Sequence, residues 1–185
     1  YTTLFRSLML PDFFQASEVP IVHKFYRNYF KDCYVCGDVD YIFGPNTAFF
    51  DHCEIHSIAR VSEGKAYITA ASTPAGQEFG LVFSHCRITG EEPDSVYLGR
   101  PWRDCAKTAF ICCELGDLIC PEGWQNWGKV RAEVLSDYIE YGNFGPGADC
   151  SGRSPLSRCL VNPEVETYFS KENVLVGEDG WIPAE

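Results

Sequence analysis

The chain has 185 residues, 45% of them apolar and 15% aromatic, and its 15 basic and 26 acidic side chains leave a formal net charge of −11. That length and apolar share describe one folded domain, expected to span residues 1–185. The longest apolar stretches, such as Tyr41 to Phe43 and Ala48 to Phe50, fall far short of the roughly 18 residues a membrane helix requires, and the scattered, outnumbered Lys and Arg offer no stripe for nucleic-acid phosphates and no attraction to anionic membranes.

The chain opens on Tyr1-Thr2-Thr3-Leu4-Phe5, without an initiator Met, a charged n-region or a small-residue cleavage pattern. No targeting signal is read, and the chain is expected to start inside something longer. Residues 6–24 hold Pro11 and Pro20 among mixed aromatic and charged residues without periodicity, which predicts an excursion walling a cleft.

A repeat follows: Phe30-Lys31-Asp32-Cys33-Tyr34-Val35, Phe50-Asp51-His52-Cys53-Glu54-Ile55, Phe83-Ser84-His85-Cys86-Arg87-Ile88 and Phe110-Ile111-Cys112-Cys113-Glu114-Leu115. The shared pattern is Phe-x-x-Cys-x-aliphatic, with the Cys 20, 33 and 27 residues apart, as in a solenoid whose loops vary while its core register is kept. Cys and the aliphatic residue share strand parity, whereas Phe has the opposite parity. A straight strand cannot bury all three, but a chain that bends between Phe and Cys can. Such a bend is a corner of a parallel β-helix, in which like residues stack on like. The length leaves room for roughly six coils.

Cys33, Cys53, Cys86 and Cys113 are therefore read as an interior ladder, and His52 and His85, in the slot before Cys, as stacked corner residues. Cys33-x-x-Cys36 resembles half a zinc site, but no second half follows. Cys150 and Cys159 are able to pair in an oxidising compartment, a question the sequence leaves open.

Gly37-Asp38-Val39-Asp40-Tyr41-Ile42-Phe43-Gly44 places two carboxylates at i and i+2, on one face of an extended segment, in company where a carboxylate is costly unless paired or used. Ala66 to Ala70 reads as a short strand. Leu98-Gly99-Arg100-Pro101-Trp102 supplies a partner: Pro101 holds the Arg100 backbone extended, and Arg donates bidentately to carboxylates. If neighbouring coils bring Arg100 to Asp40, the acid is aimed as a nucleophile requires, and Trp102 offers a flat face for a sugar ring. Residues 118–149, rich in Trp, Tyr and Gly, read as irregular structure over a strand edge. Asn162-Pro163-Glu164 marks a helix start, and a helix from Pro163 to Val174 is expected to cap the solenoid end. No nucleophile elbow or Gly-rich phosphate loop is present.

Val39-Asp40-Tyr41-Ile42-Phe43-Gly44 and Leu98-Gly99-Arg100-Pro101-Trp102 resemble the two signature motifs of the pectin methylesterases. Tyr67 to Thr73, Gly80 to Ile88, Gly123-Trp124, Phe144 to Ala148 and Trp181-Ile182-Pro183 resemble family segments in family order. The resemblance implies an all-β fold, a right-handed parallel β-helix with a short C-terminal α-helix and its N-terminal coils missing. It implies hydrolysis of the galacturonate methyl esters of pectin, that is of methyl-esterified polygalacturonate, to carboxylate and methanol, with no metal or organic cofactor. Asp40 matches the family nucleophile, Arg100 the arginine that hydrogen-bonds it and Trp102 the aromatic that contacts the sugar.

Two positions depart from the pattern. Thr2 stands where the family has its general acid/base Asp, and Tyr1 where it has an oxyanion-stabilising Gln; Asp38 is the nearest substitute acid. Thr2 favours a second reading, a non-catalytic pectin-binding relative or an inactive fragment. A β-helical lyase is disfavoured, because it requires acidic calcium ligands and a differently placed base. A monomer is expected, binding neither nucleic acid nor membrane. The family resemblance points outside the cell and the unpaired ladder Cys to a reducing cytoplasm.

Overall fold

The structure is a computed structural model that describes residues 26–60 and 63–183. The expected excursion at 6–24, Tyr1 and Thr2 lie outside the described residues. The first coil carries β1 (Arg27–Lys31), β2 (Tyr34–Gly37) and β3 (Val39–Gly44); the second carries β4 (Thr47–Asp51), β5 (Glu54–Ser57) and β6 (Ala66–Ala71). The third carries β7 (Leu81–Ser84), β8 (Arg87–Gly90) and β9 (Val96–Gly99). Then follow β10 (Lys107–Ile111) and β11 (Glu114–Leu115), helix α1 (Ala132–Leu135), β12 (Asp137–Tyr141), β13 (Ser157–Leu160), α2 (Glu164–Tyr168) and α3 (Lys171–Leu175). Three parallel sheets run along the axis, in the orders β1-β4-β7-β10-β12-β13, β11-β8-β5-β2 and β3-β6-β9. The fold is a right-handed parallel β-helix, the hand that strand twist imposes on parallel crossovers.

The repeat places its residues as its parity demands. Phe30, Phe50, Phe83 and Phe110 stack ring on ring, with centroids 4.7, 4.6 and 4.4 Å apart. The bend between Phe and Cys is a single left-handed residue: Asp32, His52, His85 and Cys112 have φ of 51°, 51°, 53° and 52°. Beyond it the chain turns inward again. Three of the four ladder thiols then meet a carbonyl of the coil before, Cys53 that of Phe30, Cys86 that of Phe50 and Cys113 that of Phe83, at 3.3–3.4 Å. Bonding to Cys86, then burial, pushes the Cys53 thiol well above its ordinary range, so the ladder works as a small apolar column with a weak donor. The His52 and His85 rings are stacked, 5.1 Å apart and 7° from coplanar.

Three expectations are corrected. The C-terminal helix is two helices: Ser170 is extended, and its hydroxyl accepts from the Asn173 amide at 3.3 Å, starting α3 anew. The break turns Val174 and Leu175 onto Phe49, Val82, Ala109 and Ile139, which are the outward-facing residues of the six-stranded sheet. The helices thus cover a side of the solenoid, leaving the central strands of that sheet, β4, β7, β10 and β12, largely buried on both faces, as parallel sheets require. Residues 118–149 are not all irregular, since they contain α1 and β12. Asp38 and Asp40 do not share a strand face: Asp38 sits exposed in the corner before β3 and accepts from the Val39 amide. Cys150 and Cys159 form a disulfide.

Candidate active site

Asp40 reaches its position through a backbone irregularity. The register of β3 against β6 shifts between Val39 and Ile42, and Asp40 itself has φ of 51°. Asp tolerates this region better than most residues, and such a bulge re-aims a side chain out of the alternation its strand would impose.

Arg100 leaves β9 two coils further on. Its amide donates to the Thr69 carbonyl and the Trp102 amide to the Ala71 carbonyl, each at 3.0 Å, so the segment after β9 continues the ladder onto β6. Gly99 allows this approach, because a Cβ there would lie 2.0 Å from Thr69 Oγ1. From this support Arg100 Nε donates to Asp40 Oδ1 at 2.9 Å and Arg100 Nη2 to Asp40 Oδ2 at 2.6 Å. Each side chain keeps 16% of its surface exposed, enough for a substrate atom to reach the carboxylate.

The guanidinium lies between two rings, 3.8 Å from the centre of Tyr67 and 3.7 Å from that of Trp127. Trp102 extends the aromatic surface: it stacks on Phe43 at 5.4 Å and meets Trp127 edge to face at 6.4 Å. The Trp127 loop is held by side-chain bonds to its own backbone: Gln125 Oε1 accepts from the Trp127 amide, and Asn126 Oδ1 accepts from the Gly128 amide in an Asx-turn. Lys129 closes it by donating to the Pro101 and Trp102 carbonyls. Burial pushes the Lys129 ammonium below the ordinary lysine range; Asp104 opposes this, while Arg103 and Arg100 add to it.

The structure brings together Asp40, Arg100 and Trp102. Asp38 instead accepts from the Val39 amide in the corner before β3. Sequence reasoning missed Tyr67, Trp127, Phe43 and Lys129 as parts of this site. Trp127 lay in a segment conspicuous for Trp and Gly, but nothing in its spacing points toward Arg100. Arrangements able to hold a metal lie elsewhere among the described residues: His85, Cys112 and Glu166 converge, whereas Glu140, Cys150 and Cys159 are taken up by an ion pair and the disulfide.

The structure thus sets a doubly held carboxylate beside an aromatic face on a parallel β-helix. The family model described as Pectinesterase matches residues 14–178, and the chain belongs to that family. Pectinesterase 31 of Arabidopsis thaliana is 40% identical over 140 residues, covering 75% of this chain and 43% of that protein. Probable pectinesterase A of Aspergillus fumigatus is 40% identical over 139 residues, covering 71% and 40%. Among solved structures, the pectin methylesterase from carrot superposes with a TM-score of 0.76 at 29% identity, over 84% of this chain and 52% of its own. A pectin methylesterase in complex with hexasaccharide VII gives 0.67 at 27% identity, over 85% and 53%. The chain spans about two fifths of the length of these curated relatives and about half of the solved chains.

Proposed function

We propose that the site hydrolyses methyl esters of polygalacturonate, with Asp40 as nucleophile, Arg100 as its positioning partner and Trp102 as a sugar-contacting face. The observation that carries this reading is the bidentate pair of Asp40 and Arg100 at 2.9 and 2.6 Å. Arg100 occupies one lone pair on each carboxylate oxygen and fixes the plane of the group, so a remaining lone pair points to solvent and toward an ester carbonyl. Attack forms the Asp40–acyl bond. Collapse of the tetrahedral intermediate breaks the ester C–O bond, and the leaving methoxide takes a proton to become methanol. Water then adds to the acyl carbon, freeing galacturonate and restoring the Asp40 carboxylate.

Protonating the leaving group and activating water require a general acid/base, a role worth about 10²–10⁴-fold. The family resemblance assigns that role to the position of Thr2, which favours the second reading of a pectin-binding relative without turnover.

The deciding experiment measures methanol release from highly esterified pectin by the 185-residue chain and by Asp40→Asn, both shown folded by circular dichroism. Release that vanishes in Asp40→Asn supports the esterase. A folded chain that releases none, yet binds the polymer and loses binding in Trp102→Ala, supports the second reading. Neither release nor binding overturns both.

A further inference from the structure

We propose that His85, Cys112 and Glu166 form a zinc site that fastens the C-terminal helices to the solenoid. The ligand atoms of the three lie within 4.8 Å of one another, and His85 Nε2 is 3.8 Å from Glu166 Oε1. They come from three places, the corner after β7, the corner after β10 and helix α2, so their convergence is a product of the fold and not of local sequence.

Three features of the surroundings fit a metal. Ser84 Oγ lies 3.0 Å from His85 Nδ1; in the Nδ1–H tautomer it accepts, and the Nε2 lone pair, 3.8 Å from Glu166 Oε1, is left for a metal. This is the outer hydrogen bond that orients most metal-bound imidazoles. The ring plane is further fixed by the stack on His52, whose Nδ1 is bound to Asp51 Oδ1 at 2.5 Å. Beyond Cys112 the next corner is Gly142, whose missing Cβ would come 3.0 Å from Cys112 Sγ, so that corner places no side chain over the sulfur.

Sulfur, imidazole and carboxylate together select zinc among the common divalent ions and leave a fourth tetrahedral position for water. Bonds of about 2.0–2.3 Å need ligand atoms about 3.5 Å apart, which rotation of the Cys112 and half-exposed Glu166 side chains about the fixed His85 ring supplies. Binding converts the Cys112 thiol to a thiolate and releases one proton to solvent.

Cobalt(II) titration of the 185-residue chain under argon tests the site. The expected result is uptake of one equivalent with a thiolate-to-cobalt charge-transfer band, displaced by zinc. The band is lost in Cys112→Ser and unchanged in Cys36→Ser, which removes an exposed thiol elsewhere. Glu166→Gln keeps the thiol and weakens affinity by about tenfold or more, which holds the test open if Cys112→Ser fails to fold. No uptake, a band that survives Cys112→Ser, or affinity unaltered in Glu166→Gln overturns the proposal. None of these outcomes depends on methanol release.

Discussion

Glu140 stands in register with Phe110, in the slot where four successive coils carry phenylalanine. The carboxylate is 2% exposed and is held by Arg153, itself 4% exposed, through bonds of 2.8 and 3.0 Å. Its Oε1 also accepts from Trp124 Nε1 at 2.9 Å. The ring of Trp124 closes the phenylalanine stack edge-on and lies flat on Tyr138, 4.2 Å away. Arg153→Met leaves a buried charge with one neutral donor and is expected to cost about 3–5 kcal/mol in urea unfolding. Glu140→Met together with Arg153→Met removes both charges and is expected to recover much of that loss. A single variant within 1 kcal/mol of the parent, a range in which exposed pairs fall, would sink this account.

Gly99 is the tightest backbone approach at the candidate site. A Cβ there meets Thr69 Oγ1 at 2.0 Å and the Trp124 ring at 3.2 Å, and Thr69 Oγ1 is engaged with the Leu98 carbonyl at 2.8 Å. Gly99→Ala is therefore expected to break that bond, displace Arg100 and cost about 1–3 kcal/mol by overpacking. Adding Thr69→Ala makes room and is expected to restore part of the stability, measured for both by urea unfolding. Equal stability of the single and double variants would count against the clash.

Legibility followed the repetition of coils. Phe-x-x-Cys was readable because a ladder demands the same residues at every rung, and Asp40 and Arg100 were readable because each sits in a motif. In β12 the pattern becomes Glu140-Tyr141-Gly142-Asn143, which hides a strand that stacks like the others. Asn143 takes the Cys slot, and its Oδ1 accepts from the Cys113 amide at 2.9 Å. Gly142 takes the left-handed corner at φ 64°. Tyr67 and Trp127 were out of reach because a sandwich around Arg100 joins a strand to a loop without any period. Ser170 ended a helix for a local reason, a hydroxyl cap, that hydrophobic spacing does not encode.

Arg100→Lys separates charge from shape. Lysine keeps the positive charge but offers no planar fork, so one of the two bonds to Asp40 is lost along with the stacking on Tyr67 and Trp127. If Asp40 is the nucleophile, methanol release should fall by about 10²-fold, the scale of a misplaced reacting group. Stability should fall by about 1–2 kcal/mol from the lost ring contacts. Release equal to that of the parent would show that orientation of Asp40 by the guanidinium is not needed.

Lys129 gives the candidate site a pH signature of stability. Burial lowers the affinity of its ammonium for a proton in the folded chain, Asp104 opposes this, and Arg103 and Arg100 reinforce the lowering. Between the lowered value and the ordinary lysine value of about 10.4, the unfolded chain binds more protons at this position than the folded one. Stability contributed by Lys129 therefore rises with pH across that window, and the penalty on its charged form is fully present below it. Lys129→Met removes both the penalty and the bonds to the Pro101 and Trp102 carbonyls. Urea unfolding of the two proteins from pH 8 to pH 11 isolates the effect, because the tyrosines and cysteines titrate in both. The parent is expected to gain on the variant as pH rises, and a constant difference would mean that Lys129 titrates alike in the folded and unfolded chains.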